Sequence, residues 1–366
     1  MSGGLVSGPS IGQFDLPAMP PLAPELVAAH DGGQAEVASA LSRVGDHLRK
    51  AFHHVQWRIL QEAAASLHPP FVGHEPQIVP PRRRLVERPH QLRFEGCGRA
   101  LRYVDSRVAM GRMGAVGRVV EQESPMVLHA FADGAEPHER RSNPGSVRAT
   151  PVSFAEGDIP YMPPPAEHCR RLLATAVDVA NEAPAPPVTR ATWLMQVFFA
   201  IHPFVDGNGR TGRLLCHAIL SEHSPVGIDW GTIPELAARR ADYLEATRGP
   251  LRPSLPDYDA RLIEPIHLME YVAQAGIDGA VRTRARLAAL GEVFGRLGDA
   301  GLDEDRALIV LAVAADRNAR LAEIEHLLDD PATVTSMVVE LVDAGWLVWD
   351  RAGNLQPSGP NPFRPR

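Results

Sequence analysis

The segment Ile201–Arg213, with the sequence IHPFVDGNGRTGR, places a histidine, an acid, three glycines and two arginines between two apolar stretches. The flanking sequences WLMQVFFAI and LLCHAIL are typical of buried helices. An imidazole with a pKa near ~6.5 suits a general base for a hydroxyl nucleophile at neutral pH, so His202 is a candidate base. A lone histidine after an apolar helix is more often a packed core residue, and its neighbours must decide between the two interpretations.

The tripeptide Gly207-Asn208-Gly209 lies where a loop enters a helix that begins near Arg210. Glycines allow successive backbone N–H groups to turn toward one point, and a helix N-terminus adds partial positive charge. Together they form an anion cradle that suits a phosphate. By itself, the tripeptide is equally compatible with such a cradle and with a flexible loop that has a helix cap.

Two arginines and one acid favour the cradle. Arg210 and Arg213 are three residues apart and share one face of the first helical turn. Cations at a helix N-terminus oppose the macrodipole, and this arrangement makes sense if an anion lies between them. Asp206 either pairs with an arginine or holds Mg²⁺, which takes one or two carboxylates and completes its shell with water and phosphate oxygens.

The sequence HPFVDGNGRTGR resembles the Fic family motif HxFx(D/E)GNGRxxR at every specified position. The resemblance extends through NPGSVR (143–148), YMPPPAE (161–167) and RRADYLEA (239–246), and it covers residues 100–245. Fic enzymes are mostly helical and transfer the AMP part of ATP to a Ser, Thr or Tyr hydroxyl of a target protein. The resemblance therefore implies a mainly α fold, with a Fic-type helical core and a small β-hairpin flap. It also implies a protein adenylyltransferase that uses ATP as donor and Mg²⁺ as cofactor.

The resemblance implies a role for each residue of the loop. His202 would take the proton of the target hydroxyl, and Asp206 would hold Mg²⁺ across the α- and β-phosphates. The nucleotide would be bound by the remaining motif residues and by one residue near the nucleoside: Gly207, Asn208, Gly209, Arg210, Thr211, Arg213 and Tyr243.

The donor and the regulation are less closely defined by the motif. A related kinase-like branch has lysine at the position of Gly209, so glycine favours nucleotidyl transfer, although other relatives move UMP or phosphocholine. Many Fic proteins inhibit themselves with a helix bearing (S/T)xxxE(G/N), and QLRFEG (91–96) is the nearest match, with Gln91 in place of Ser or Thr. We hypothesise that Glu95 pairs with Arg213 and restrains activity. The alternative is a surface glutamate at a helix start.

Hydrophobic periodicity and the positions of Gly and Pro predict the elements that carry these residues. Helices are predicted over 35–67, 96–132, 166–181, 188–201, 210–222, 233–248 and 258–275. A Gly- and Pro-rich arm over 1–34 precedes them, a solvated linker is predicted over 68–90, and a hairpin or flap is predicted over 143–168. A target protein with a hydroxyl side chain would dock on the flap near 150–161 as an added strand.

The C-terminal region is predicted to form a winged helix-turn-helix, with a helix over 304–315, two short helices and two strands joined at DRAGN. We favour an interaction or scaffold domain over a DNA reader, because Pro331–Asp343 contains no Lys or Arg to neutralise phosphates. The predicted domains are an N-terminal arm and helical region (1–98), a Fic catalytic domain (99–275) and the winged helix (300–366). A nucleotide-sensing regulatory protein that acts through the winged helix is the alternative from another function class.

Composition excludes several other classes of protein. The chain has 366 residues, a net charge of −7 and three cysteines in no metal-ligand spacing, so affinity for polyanions and a disulfide framework are not expected. Its first residues lack the basic start and apolar core of a secretion signal, and no apolar run reaches the length of a membrane span. These features predict a cytoplasmic protein without membrane contact. A homodimer and self-modification stay open.

Overall fold

The structure, a computed structural model, describes residues 12–66, 88–133, 143–156, 159–316 and 319–358. Most of these residues are helical, and the predicted mainly α fold is confirmed. The helices are α1 (Pro24–Ser42), α2 (Asp46–Ser66), α3 (Arg88–Arg112), α4 (Ser124–Asp133), α5 (Ala166–Glu182), α6 (Pro187–Ile201), α7 (Asn208–His223), α8 (Thr232–Ala238), α9 (Arg240–Arg248), α10 (Ile266–Asp299), α11 (Glu304–Ala315), α12 (Leu321–Ile324) and α13 (Pro331–Asp343). Short 3₁₀ helices cover Gly249–Ser254 and Glu325–Leu327.

Two small antiparallel hairpins accompany the helices. Strand β1 (Phe154–Glu156) pairs with β2 (Ile159–Tyr161), and β3 (Leu347–Trp349) pairs with β4 (Leu355–Pro357). The first hairpin lies within the predicted flap, and the second lies at the end of the predicted winged helix. The small sheet of the flap is therefore present where the sequence indicates it.

Helix α6 forms the centre of the core. Every residue from Val188 to Ile201 is buried, as expected for a helix that is apolar on nearly all sides. It packs against α5, α7 and α10, which cover it from water. The loop that carries the predicted site residues therefore begins at the end of a fully enclosed helix.

The N-terminal arm packs onto this core through backbone carbonyls. The Trp193 indole Nε1 donates to the carbonyl oxygens of Pro17 and Ala18, at 3.2 Å each. The arm is shorter than the predicted range 1–34, because α1 already begins at Pro24, and proline suits a first helical turn. The single helix predicted over 35–67 is also wrong, since the chain leaves the helix between α1 and α2 at the residues before Asp46.

The predicted helix over 96–132 is two helices, α3 and α4. Gly114 has a φ of 72°, which suits glycine, and it terminates α3. The Ala115 N–H donates to the Met110 carbonyl oxygen at 2.9 Å, and the Gly114 N–H donates to the Gly111 carbonyl oxygen at 3.0 Å. These bonds satisfy carbonyls of the last turn in the manner of a glycine C-cap.

The last helices of the catalytic region also differ from the prediction. The range 233–248 is divided between α8 and α9 at Arg239, and the range 258–275 is replaced by the longer helix α10. Glycines inside α10 obscure its length in the sequence. Gly279 is required by a close approach, because a Cβ there would lie 2.5 Å from the Gly231 backbone.

The C-terminal elements follow the predicted order. The helix predicted over 304–315 is confirmed as α11, and α12, α13 and the β3–β4 hairpin follow it. The assignment of this region as a winged-helix domain stays a prediction. The predicted linker over 68–90 lies mostly outside the described residues, as do positions 157–158 of the flap.

Within the ranges given above, no helix combines the length and the apolar character that crossing a bilayer requires.

A half-buried histidine of α2, beside the C-terminal helices, makes stability depend on pH. Burial, followed by the nearby charge of Arg58, lowers the pKa of His54 to about 3. The imidazole titrates near ~6.5 in an unfolded chain, so the unfolded chain binds more protons between these two values and stability falls as pH decreases through this window. We predict that His54→Gln reduces the loss of unfolding free energy between pH 7.5 and pH 5 by roughly 2 kcal/mol.

Urea unfolding at the two pH values measures this difference. His267→Gln is the matched control, because the His267 side chain is 65% exposed. An equal pH dependence in His54→Gln and in the parent chain would contradict the prediction.

Candidate active site

The loop between α6 and α7 begins with His202, which takes a left-handed backbone conformation at φ 48° and ψ 59°. Its N–H donates to the Phe198 carbonyl oxygen at 3.0 Å and so completes the last turn of α6. A non-glycine residue in this region costs on the order of 1–3 kcal/mol, which is tolerated where the surroundings impose it. The turn directs His202 out of the helix and toward the flap, where its ring centroid lies 4.6 Å from that of Phe154.

Burial and a neighbouring cation keep the His202 imidazole unprotonated. Burial is the larger effect, and together with the Arg148 charge it lowers the pKa of His202 to about 4, against the opposing effects of a hydrogen bond to the Phe199 backbone and of the Asp206 charge. At neutral pH the ring is therefore neutral and has a nitrogen available to accept a proton. This is the protonation state that a general base requires.

The centre of the loop is closed on itself. The Asn208 side-chain oxygen accepts from the Phe204 N–H at 3.0 Å, and its amide group donates to the Phe204 carbonyl oxygen at 2.8 Å. Phe204 is fully buried and anchors the loop in the core.

The start of α7 is left without a side-chain cap. Gly207 is the N-cap residue, at φ 77°, and it has no side chain to accept from the N–H groups of the first turn. The first N–H groups of a helix have no carbonyl partner within the helix, so they point outward beside Gly209. With the helix dipole, this arrangement suits an anion, and the phosphate cradle at the glycines stays a prediction.

Asp206 is exposed next to this cradle. One of its carboxylate oxygens accepts from the Gly207 N–H at 2.6 Å. A single exposed carboxylate beside a phosphate-binding turn fits Mg²⁺, which is often bound through one carboxylate, phosphate oxygens and waters. The described residues contain no cluster of three or more His, Cys, Asp or Glu side chains that could hold a metal by themselves.

Arg210 is held by an acid that the sequence analysis missed. Asp133, at the end of α4, is buried and forms an ion pair with Arg210, whose Nε lies 3.0 Å from Asp133 Oδ1. Desolvation alone would raise the pKa of Asp133, but the hydrogen bond from His129 and the charge of Arg210 outweigh it and lower the pKa. The spacing of His129 and Asp133, four residues apart on an apolar helix, is the signal that could have identified them.

His129 connects three parts of the site. Its ring stacks on Phe204 with centroids 3.8 Å apart. Its Nδ1 accepts from the Gly145 N–H at 2.8 Å, so the proton is on Nε2, which lies 3.0 Å from the Asp206 carbonyl oxygen and 2.9 Å from Asp133 Oδ2. His129 thus joins the loop, α4 and the segment that contains Gly145.

Arg213 lies deeper than Arg210 and is 3% exposed. Its Nη2 donates to the Ala64 carbonyl oxygen at 3.0 Å, and its guanidinium also bonds the Tyr243 hydroxyl. Tyr243 therefore belongs to the site through Arg213. Glu95 is exposed on α3, and Arg213 bonds Ala64 and Tyr243 instead, so the inhibitory role of Glu95 stays a prediction.

Thr211 is fully buried in the first turn of α7, and its hydroxyl has no hydrogen-bond partner in the part of the chain that the structure describes.

Comparisons with known proteins agree with this geometry. Residues 128–220 match the family model described as the Fic/DOC family. This segment, about a quarter of the chain, therefore resembles the Fic/DOC family. It contains α5, α6, the loop and most of α7.

Curated relatives match short parts of this chain. It is 38% identical over 69 residues to a protein of Aquifex aeolicus (strain VF5) named as a probable protein adenylyltransferase, covering 19% of this chain and 22% of that protein. It is 53% identical over 34 residues to a Fido domain-containing protein of Dictyostelium discoideum, covering 9% of this chain and 24% of that protein. The chain thus spans about a quarter of the length of these curated relatives.

A solved structure matches over nearly the whole chain. The crystal structure of a Fic family protein from Desulfovibrio desulfuricans G20 superposes with a TM-score of 0.50 at 15% identity, over 93% of this chain and 98% of that chain. At this identity the likeness shows the fold alone, and the predicted Fic-type helical fold is confirmed.

Two glycines of the cradle differ in what they tolerate. A Cβ on Gly207 would lie 2.0 Å from Asp133 Oδ2, and its φ of 77° is unfavourable for other residues. A Cβ on Gly209 would contact the Arg213 Nη1 at 3.4 Å, which is close to ordinary packing. We predict that Gly207→Ala lowers the unfolding free energy by about 1–3 kcal/mol and that Gly209→Ala changes it by less than about 0.5 kcal/mol.

Urea unfolding of both variants beside the parent chain checks this prediction. A Gly207→Ala variant as stable as Gly209→Ala would show that the Asp133 carboxylate is not packed against the loop.

Proposed function

We propose that this protein is an adenylyltransferase that moves AMP from ATP to a Ser, Thr or Tyr hydroxyl of a target protein. The observation that carries the proposal is the arrangement of one loop, with a neutral imidazole at its start and an uncapped helix N-terminus at its end. Resemblance to the Fic/DOC family supports a transferase, and the Aquifex aeolicus relative is named as a probable protein adenylyltransferase.

In the proposed reaction, His202 accepts the proton of the target hydroxyl as its oxygen bonds to the α-phosphorus of ATP. The bond from the α-phosphorus to the bridging oxygen of the β-phosphate breaks, and pyrophosphate leaves. Phosphoryl chemistry of this kind depends on positioning and charge neutralisation more than on covalent participation of the protein.

The cradle would neutralise the charge of the phosphates. The N–H groups at the start of α7 and the guanidinium groups of Arg210 and Arg213 would bind phosphate oxygens, with Thr211 beside them. Mg²⁺, held by Asp206, would draw charge from the α- and β-phosphates when it is bound. Gly209 has no side chain, and this leaves space for a β-phosphate. A Cβ at this position would occupy part of that space, since it would already contact Arg213.

The flap is the proposed docking site of the target. Strand β1 pairs with β2 along one edge, and Phe154 of β1 places its ring beside His202. A target segment added along the other edge of β1 would be ordered by backbone hydrogen bonds and would bring its hydroxyl near the imidazole.

Labelled ATP tests the proposal. We predict that label at the α-phosphate, but not at the γ-phosphate, is transferred to the chain itself or to proteins of a cell lysate. His202→Ala should reduce this transfer by roughly 10²-fold or more, because the proton acceptor is lost.

His267→Ala is the matched control, since the exposed His267 lies outside the loop. CTP, UTP and GTP labelled at the α-phosphate are tested in parallel. If label is transferred faster from one of them than from ATP, that nucleotide is the donor in place of ATP. Transfer of the γ-label, or equal α-label transfer by His202→Ala, would overturn the proposed function.

Autoinhibition by Glu95 is a further part of the proposal. If Glu95 restrains the site, Glu95→Gly should raise the rate of nucleotide transfer, because its carboxylate no longer competes for Arg213. The same labelled-ATP assay measures this rate, and an unchanged rate would assign Glu95 to the solvated surface of α3.

A further inference from the structure

Arg148, in the predicted flap range but before strand β1, is buried and donates to carbonyl oxygens of three separate segments. Its Nε donates to the His202 carbonyl oxygen at 2.9 Å, and its Nη1 donates to that of Thr150 at 3.2 Å. Its Nη2 donates to the carbonyl oxygens of Pro164 and, at 3.5 Å, Ile201. One guanidinium thus joins the flap segment, the start of α5 and the end of α6.

The end of α6 needs such donors, because the last carbonyls of a helix have no N–H partner within it. The Tyr161 hydroxyl donates to the Ala200 carbonyl oxygen at 3.1 Å. Arg148 supplies donors to the next two carbonyls, those of Ile201 and His202. The last of these belongs to the residue in the strained left-handed conformation.

The charge of Arg148 faces main-chain dipoles, and the Glu167 carboxylate on α5 adds a longer-range attraction. No carboxylate forms an ion pair with it within the described ranges, and its side chain is in contact with the negative end of the α6 dipole. The Arg148 backbone also bonds to the loop that follows α6, since its N–H donates to the Pro203 carbonyl oxygen at 2.8 Å. Burying the charge of an arginine costs desolvation free energy, which these hydrogen bonds must offset. We therefore expect the position of Arg148 to serve the site.

We propose that Arg148 is a positioning residue for His202, whose guanidinium holds the turn at the end of α6 and thereby sets the direction of the imidazole. The inference rests on the proposed role of His202 as the base. The planar fork of Arg148 reaches two successive carbonyls at the end of α6, which the single ammonium of a lysine cannot match.

The same guanidinium affects the charge state of the imidazole. Among the titratable groups near this end of α6, the Arg148 charge opposes protonation of His202, and the Asp206 carboxylate on the loop favours it. Burial raises the pKa of Cys169 on α5 and of Tyr161 on β2, so both are neutral at pH 7. Removal of the Arg148 charge should therefore make His202 easier to protonate.

An NMR titration of the full chain with labelled histidine rings, without nucleotide or divalent cations, tests this directly. The His202 signal is identified by its loss in His202→Ala. We expect the wild-type ring to titrate below 6.5 and the pKa to rise by about one unit in Arg148→Gln, which loses the charge. Arg148→Lys keeps the charge, so its titration should stay near that of the wild type.

Transfer kinetics supply the second readout. Arg148→Lys should lower the transfer rate by about tenfold or more, because the turn is held less firmly, while ADP affinity stays within about twofold. Arg171→Lys is the matched control, since Arg171 also donates to a carbonyl, that of Phe14, but on the exposed surface. It should change neither readout.

A wild-type His202 that titrates at or above 6.5, an unchanged pKa in a folded Arg148→Gln, or a wild-type transfer rate in Arg148→Lys would each overturn the inference. If Arg148→Gln does not fold, the wild-type titration and the Lys variant still decide it. Because the titration requires no transfer, a chain that moves no AMP would refute the proposed function while leaving the positioning role testable.

Discussion

The two hydrogen bonds between the Asn208 side chain and the Phe204 backbone are the constraint on which the site depends. They close the loop around the first residue of α7, while the N-cap residue, Gly207, has no side chain that could cap the helix. The N–H groups of the first turn are therefore left for a ligand instead of being satisfied internally. Because Phe204 is fully buried, this short closed loop is fixed to the core and not only to itself.

The charged residues around the loop are oriented before any ligand arrives. Asp133 holds Arg210, and the Ala64 carbonyl and the Tyr243 hydroxyl hold Arg213. Such contacts restrict the arginine rotamers, so less conformational entropy is lost when an anion binds. The Asp133 charge also balances that of Arg210, which leaves the helix N-terminus and Arg213 as the main sources of positive potential in the cradle.

The two ends of the loop are controlled by different parts of the chain. The segment 143–161 governs the His202 end, through Arg148, Phe154 and the hydroxyl of Tyr161. Helices α2 and α4 govern the phosphate end, through their contacts to the two arginines. His129 links these two systems, since it contacts both Gly145 and the Asp206 carbonyl. A movement of the flap would therefore displace His202 more directly than it would displace the N–H groups at the start of α7.

The sequence by itself determined the helical character of the chain, the loop with its base, acid and glycines, and the extents of the most regular helices, such as α6 and α11. These features depend on local spacing, on residue types whose backbone preferences are strong, and on a long motif. The prediction missed the breaks inside the ranges 35–67, 96–132 and 233–248. Gly45 and Gly114 lie at the first two breaks, but a single glycine is also tolerated inside a helix, and no Gly or Pro marks the third break at Arg239.

Only the tertiary structure identified Asp133 and Arg148 as partners of the site and placed Ala64 against Arg213. These contacts join residues about 50 to 150 positions apart, and no local pattern specifies which buried polar group meets which. They arise because a buried polar group must find a partner among whatever elements the packing of the core brings beside it.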